Sequence, residues 1–154
     1  LRVMGEKLIE QPLVGNKPQQ LDNEVMPLFS GKRVLIAEDN QLSQKVIRGM
    51  MQKLGIEHTI VSNGREAVHS VMQGGFDVVL MDCDMPIMDG YSATQEIRRW
   101  EKQEHREAMP IFALTAHILE DQKQKAFNSG MNKHLSKPIE LGDLQNALLE
   151  TITV

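Results

Sequence analysis

Length, composition and charge restrict the classes of protein to which this chain can belong. Its 154 residues suit one domain of ordinary size plus a tail, and 17 basic against 21 acidic residues give a net charge of −4. No overall positive field attracts nucleic acid, so we expect no nucleic-acid partner. The single cysteine, Cys83, cannot form an internal disulfide, which favours a reducing, intracellular setting.

The first 30 residues mix glycines and prolines with polar residues and show no sustained hydrophobic period. This composition is typical of a linker or of the end of a preceding domain, so we expect the folded domain to cover residues 31–154. The N-terminus lacks the apolar stretch of a signal peptide and does not begin with Met, which indicates a piece of a longer polypeptide. The longest apolar run near the middle, residues 78–81, is far shorter than the roughly 20 residues of a membrane-spanning helix.

From residue 31 onward, short apolar runs alternate with longer amphipathic segments, as in repeated βα units around a parallel sheet. We predict strands at residues 34–37, 59–61, 77–81, 111–114 and 133–135. Five units are too few to close an eight-unit barrel, so an open, doubly wound α/β sheet is expected. Ligands of such sheets bind at the carboxyl ends of the strands.

The helix after the first predicted strand has apolar residues at every fourth position. This spacing predicts a buried face made of Leu42, Val46, Met50 and Leu54. Gly55 follows directly and is expected to end the helix.

Residues that can bind a cation or a phosphoryl group follow four of the predicted strands. They are Glu38 and Asp39 after the first strand, Asp82 after the third, Thr115 after the fourth and Lys137 after the fifth. Carboxylates gathered at one edge repel one another, by on the order of 4 kcal/mol for a pair 4 Å apart at an effective dielectric of 20. Such a cluster needs a cation or raised pKa values.

Hard carboxylate oxygens together with carbonyls and water are the ligands that Mg²⁺ prefers. Lys137 adds a second positive charge and Thr115 a hydroxyl donor, so this edge can stabilise the charge on a transferring phosphoryl group. A carboxylate placed between them can act as a nucleophile and form an acyl phosphate. Asp82 is the best candidate for that nucleophile.

Four short motifs carry a resemblance to a known family. They are VLIAEDN (34–40), VVLMDCDMPIMDG (78–90), ALTA (113–116) and KP (137–138). Because these motifs occur in this order, the sequence from residue 32 to about 152 resembles the receiver domain of response regulators and hybrid histidine kinases. It is most similar to the receivers of hybrid kinases. The resemblance implies a flavodoxin-like (βα)5 fold with strand order 2-1-3-4-5.

The resemblance also implies roles for the acidic residues. Asp82 is expected to be phosphorylated, a reaction that such a domain catalyses on itself, as it does the later loss of the phosphoryl group. Asp39 and Asp82 are expected to ligate Mg²⁺ directly and Glu38 through water, while the backbone carbonyl of Asp84 completes the ligand set.

Further implications concern the switch residues and the partners. Thr115 is expected to close on the phosphoryl oxygen, Lys137 to pair with it, and the bond from Lys137 to Pro138 to be cis. His134 occupies a position that is often aromatic in the family, so we expect a weaker conformational switch from the smaller, titratable imidazole. The implied partners are a histidine kinase domain or a histidine phosphotransfer protein. The implied location is the cytoplasm, either on its own or as the cytoplasmic part of a membrane-bound sensor kinase.

Two other functions fit parts of the same pattern. Asp82-Cys83-Asp84 after an apolar strand also looks like the DxD nucleophile motif of haloacid dehalogenase phosphatases, in which the second Asp is an acid/base. Against that reading, the motif follows the third βα unit instead of the first. A degenerate receiver that serves only as a docking domain is the second alternative.

Overall fold

The structure is a computed structural model that describes residues 26–116 and 119–153, with side chains from Leu28 onward. Its strands and helices alternate along the chain after a short 3-10 helix. The elements are the 3-10 helix Met26–Phe29, β1 Arg33–Ala37, α1 Gln41–Leu54, β2 Glu57–Val61, α2 Gly64–Gln73, β3 Val78–Asp82, α3 Gly90–Gln103, β4 Ile111–Thr115, α4 Glu120–Ser129, β5 Lys133–Ser136 and α5 Leu141–Thr151.

The five strands form one sheet in the order β2-β1-β3-β4-β5, and all neighbouring pairs are parallel. This confirms the predicted doubly wound sheet and its strand order. Strands β1, β3 and β4 are central, and β3 and β4 are buried at every position. Their side chains must be apolar on both faces, which explains the uninterrupted apolar runs in the sequence.

Two hydrophobic clusters lie on opposite faces of the sheet. Val34 and Ile36 of β1 point into one of them, with side chains of α1 and α5. Leu35 and Ala37 point into the other, with side chains of α2, α3 and α4. The alternation along β1 is the two-residue period of a strand.

Phe29 in the 3-10 helix is fully buried and belongs to the cluster on the α1 and α5 face. The chain immediately before β1 therefore contributes a side chain to the core. The predicted domain boundary between residues 30 and 31 stays a prediction. Within residues 26–116 and 119–153, no helix combines the length and the hydropathy that a bilayer crossing requires.

The predicted buried face of α1 is wrong at its first two positions. Leu42 is 72% exposed and Val46 is 47% exposed, whereas the buried residues are Ile47, Met51 and Leu54. With 3.6 residues per turn, a repeat of four drifts around the helix by about 40° at each step and leaves the core-facing side. Gly55 ends the helix in a left-handed conformation, as predicted.

Candidate functional site

The carboxyl ends of the strands bring together the polar residues that the sequence singled out. In the register of the sheet, Ala37 pairs with Met81, Asp82 with Leu114 and Thr115 with Ser136. Five of the predicted site residues lie at these positions or within two residues after them. We call this group the acidic edge and define it as Glu38, Asp39, Asp82, Thr115 and Lys137.

Three carboxylates of the acidic edge lie close together. Glu38, Asp39 and Asp82 each offer an oxygen, and these oxygens are all within 4.8 Å of one another. Glu38 is fully buried and Asp82 is 4% exposed, whereas Asp39 is exposed. Two negative groups are thus removed from water while the third faces it.

Lys137 supplies the positive charge that this cluster needs. Its ammonium nitrogen lies 2.8 Å from Oε1 of Glu38 and 3.2 Å from Oδ2 of Asp82. Burial lowers the pKa of Lys137, but the hydrogen bond to Glu38 and the charges of Asp82 and Glu38 outweigh it, and the net shift is upward. The lysine therefore stays protonated at neutral pH.

The pKa of Asp82 is raised from 3.8 to about 7. Burial is the largest cause, and the neighbouring charge of Glu38 adds to it. Lys137 and the backbone N–H of Asp84, which donates to Oδ1 at 3.2 Å, act in the opposite direction without cancelling it. A divalent cation at this position would favour the charged carboxylate.

Glu38 is held rigidly by backbone and side-chain groups. Its N–H donates to the carbonyl of Val61, and its Oε2 accepts from the N–H of Asn40 at 3.0 Å. The side-chain amide of Gln44 donates to its carbonyl at 2.6 Å. Oε1 is buried, and its partner is the ammonium group of Lys137 at 2.8 Å.

Thr115 ends β4 and is 7% exposed. Its carbonyl accepts from the N–H of Lys137 at 2.9 Å, which ties the fourth strand to the lysine. The bond between Lys137 and Pro138 is cis, as predicted. Asp84 is exposed beside Asp82, and His134 is exposed on β5, outside the acidic edge.

The loop between β3 and α3 packs directly against the end of β3. The N–H of Gly90 donates to the carbonyl of Cys83 at 3.1 Å, and a Cβ on Gly90 would overlap the carbonyl oxygen of Asp82. Asp89, which the sequence indicated as a turn residue, caps α3 by accepting from the N–H of Ser92 at 2.7 Å. Only a residue without a side chain fits at position 90.

Sequence reasoning missed two features of this site. One is Gln44, whose contact with Glu38 depends on the rotation of α1 and has no local signal. The other is an apolar cavity of about 190 Å³ beside Lys137, between α1 and the start of α5. Its apolar lining residues are Leu42, Val46, Ile47, Pro138 and Ile139.

The doubly wound five-stranded sheet and the acidic edge define a receiver-type α/β domain. Comparison with known families agrees: the response regulator receiver domain model matches residues 34–149. The chain therefore belongs to the response regulator receiver domain family. This membership rules out the haloacid dehalogenase alternative.

Individual relatives place the chain beside the receivers of histidine kinases. It is 37% identical over 135 residues to the sensor protein GacS of Pseudomonas syringae pv. syringae, covering 86% of this chain and 15% of that protein. It is also 38% identical over 118 residues to hybrid signal transduction histidine kinase A of Dictyostelium discoideum, covering 76% of this chain and 6% of that protein, so the chain spans only a small part of these relatives' length. These relatives are sensor or hybrid histidine kinases.

Two solved structures are similar over most of the domain. One is the receiver domain of the Pseudomonas aeruginosa sensor histidine kinase PA1611 with a magnesium ion in its active-site cleft (40% identity, TM-score 0.71, 79% of this chain and 98% of that chain). The other is the receiver domain of Saccharomyces cerevisiae Ssk1 in complex with the histidine phosphotransfer protein Ypd1 (34% identity, TM-score 0.76, 80% and 90%).

Proposed function

We propose that this domain accepts a phosphoryl group on Asp82 from a phosphohistidine donor, with Mg²⁺ bound at the acidic edge. One observation carries the proposal: Oδ2 of Asp82 lies 3.2 Å from the ammonium group of Lys137, and the carboxylates of Asp82, Glu38 and Asp39 each offer an oxygen within 4.8 Å of the other two. The nucleophilic carboxylate of Asp82 is thereby placed between the ammonium group of Lys137 and a group of oxygen atoms that can bind a metal ion.

The residues present fit a magnesium ion. The exposed carboxylate of Asp39 and that of Asp82 would ligate it directly, Glu38 through water, and the carbonyl of Asp84 would complete the protein ligands. All donors are hard oxygens, and the buried Oε1 of Glu38 faces the ammonium group of Lys137 at 2.8 Å. When bound, the ion neutralises charge on the phosphoryl oxygens and keeps Asp82 ionised.

The chemical step is an in-line displacement at phosphorus. A carboxylate oxygen of Asp82 forms the new O–P bond while the N–P bond to the donor imidazole breaks, and the imidazole leaves with the electron pair. Lys137 and Thr115 stabilise the phosphoryl oxygens as charge shifts toward the leaving group. Because both residues are already held at the strand ends, catalysis consists mainly of positioning.

The partner is proposed to be a histidine kinase domain or a histidine phosphotransfer protein. An apolar surface made of Leu42, Val46 and Pro138 borders the site and remains exposed in the isolated domain. Apolar surface next to a reactive group is typical of a protein-binding site. The complex of the Ssk1 receiver domain with Ypd1 supports a partner of this class.

The piece is further proposed to come from a sensor histidine kinase and to lie on the cytoplasmic side of the membrane. The sensor and hybrid kinases among its relatives support this origin. Reducing conditions also suit the lone thiol Cys83.

Intact mass spectrometry after treatment with acetyl phosphate and MgCl₂ tests the acceptor. We expect one added phosphoryl group in the parent and in Asp84→Asn, which keeps the backbone carbonyl at position 84. We expect none in Asp82→Asn. Equal labelling of parent and Asp82→Asn refutes the proposal, and a lack of labelling in the parent favours a degenerate receiver used only for docking.

The partner surface needs a separate test. Leu42→Ser should slow transfer from a phosphorylated histidine phosphotransfer protein by about tenfold, since burying one such side chain contributes about 1.5–3 kcal/mol. Labelling by acetyl phosphate should not change. Ser70→Ala on the opposite layer is the control and should alter neither rate.

A further inference from the structure

Helix α4 is attached to the body of the domain by few apolar contacts. Only Ala126 and Ser129 of its ten residues are buried, and Phe127 is 70% exposed. Its N-cap residue Leu119 makes no side-chain capping hydrogen bond. Individual polar contacts therefore determine where the first half of this helix lies.

Tyr91 provides two such contacts. It lies in the first turn of α3, is 8% exposed, and donates its hydroxyl to Oε1 of Gln122 at 3.1 Å. The ammonium group of Lys125 stands 4.5 Å from the centre of its ring. Gln122 and Lys125 are one turn apart on α4, so a single phenol holds the inner side of that helix.

The same phenol also contacts the acceptor strand. The thiol of Cys83, the residue after Asp82, and the phenol of Tyr91 belong to the same buried cluster, and the N–H of Gly90, the residue before Tyr91, donates to the carbonyl of Cys83 at 3.1 Å. Burial raises the pKa of both groups, so both stay protonated at neutral pH. Tyr91 is thereby joined to the end of β3 through Gly90 and Cys83, and to α4 through the bond from its hydroxyl to Gln122.

His134, where receivers often carry an aromatic switch residue, has different surroundings. It is exposed on β5 and lines a small cavity with Phe127 and Lys123. Among the described residues, Tyr91 is the buried aromatic that contacts both α4 and the neighbour of Asp82.

We propose that Tyr91 is the positioning residue that transmits the state of Asp82 to helix α4. This inference rests on the proposed function, since it assumes that Asp82 is the group that changes state. A shift of the β3 end on phosphorylation moves Cys83 and the Gly90 that is bonded to it, displaces the adjacent Tyr91 and breaks its bond to Gln122. The first half of α4 can then move, because little apolar burial opposes it.

Amide chemical shifts of the whole domain test the proposal, with beryllofluoride and Mg²⁺ as the phosphoryl mimic. In the parent we expect shift changes both beside Asp82 and along α4. In Tyr91→Leu the changes beside Asp82 should remain, while those along α4 should shrink at least about twofold. Tyr91→Phe, which keeps the ring and loses the bond to Gln122, should be intermediate, and His134→Ala should behave like the parent.

Two surface variants keep the test decisive if Tyr91→Leu does not fold. Lys125→Met removes the cation from the Tyr91 ring, whereas Lys123→Met changes a lysine on the side of α4 that faces His134. We expect a smaller response along α4 only in Lys125→Met. Gln122→Leu should act in the same direction as Tyr91→Phe, and the two changes should not add.

The outcomes separate this inference from the proposed function. An undiminished α4 response in Tyr91→Leu or in Lys125→Met, or its loss in His134→Ala, overturns the role of Tyr91 while the acceptor role of Asp82 stands. No shift change beside Asp82 in the parent, together with no added phosphoryl mass, overturns both.

Discussion

The acidic edge and helix α4 differ in the groups that fix them to the sheet. Glu38 and Asp82 are almost fully removed from water and share one ammonium group at 2.8 and 3.2 Å. Helix α4 is held mainly by polar contacts that come from α3, through Tyr91 near its start and Arg98 at its end. The site is thus built to hold charge in one geometry, whereas the helix can change position at low cost.

The largest expected effect concerns the shared cation. Lys137→Met keeps much of the side-chain length and removes the charge, so the labelling rate with acetyl phosphate should fall about 10²–10³-fold, as for loss of one preorganised charge. Lys133→Met is the matched control, because its ion pair with Glu150 is exposed on both sides. Equal rates in the two variants would show that the acidic edge does not depend on Lys137.

The packing at Gly90 is expected to have the next largest effect. Gly90→Ala places a methyl group on the carbonyl of Asp82 and should lower the free energy of unfolding by about 2–3 kcal/mol. Gly49→Ala, in open space within α1, should raise it by about 0.5–1 kcal/mol instead. Urea unfolding measures both, and a neutral Gly90→Ala would contradict the tight loop seen here.

The raised pKa of Asp82 predicts an effect on stability without divalent cations. From pH 3.8 to about 7 the native carboxyl keeps a proton that the unfolded chain has lost, so stability falls as pH rises through this window. Because asparagine cannot ionise, Asp82→Asn should have a free energy of unfolding on the order of 2 kcal/mol higher than the parent above pH 8, and nearly the same as the parent below pH 4. This value is about half of what the full pKa difference gives, because the site can relax around the charged carboxylate.

Thermal unfolding in a chelating buffer across this pH range provides the measurement. Asp121→Asn, an exposed carboxylate in the first turn of α4, is the control and should show no such growth with pH. If the difference in stability between the parent and Asp82→Asn did not change with pH, burial and the charge of Glu38 would not disfavour the ionised carboxylate of Asp82.

The smallest expected effect lies at the end of α4. Arg98 donates to the carbonyl of Gly130 at 2.8 and 3.0 Å and to Glu101 at 2.9 Å. Arg98→Met should lower the free energy of unfolding by about 1 kcal/mol and speed hydrogen exchange at the end of α4. The rate at which Asp82 is labelled should not change. Arg99→Met, one residue on and exposed, should change neither property, and slower labelling in Arg98→Met would contradict the separation of the two regions.

The sequence was sufficient for the sheet and for the composition of the acidic edge. Buried parallel strands require continuous apolar runs, and the residues after those runs must meet at one edge, which placed Asp82 and Lys137 together correctly. It was insufficient where the rotation of a helix decides the outcome. The four-residue repeat of α1 assigned Leu42 and Val46 to the core, whereas Ile47 and Met51 occupy it.

The contacts that side chains make with other elements also could not be predicted from the sequence. Gln44 with Glu38, Tyr91 with Gln122 and Arg98 with Gly130 join residues whose proximity depends on helix rotation and on loop geometry. No spacing rule brings such pairs together.

Chemical trapping tests the acceptor assignment most directly. Borohydride reduces an acyl phosphate of aspartate to homoserine, so treating the phosphorylated parent and mapping its peptides identifies the modified residue. We predict homoserine at position 82 and nowhere else. Homoserine at position 39 or 84, or phosphate retained through reduction on a hydroxyl or imidazole group, would contradict the account.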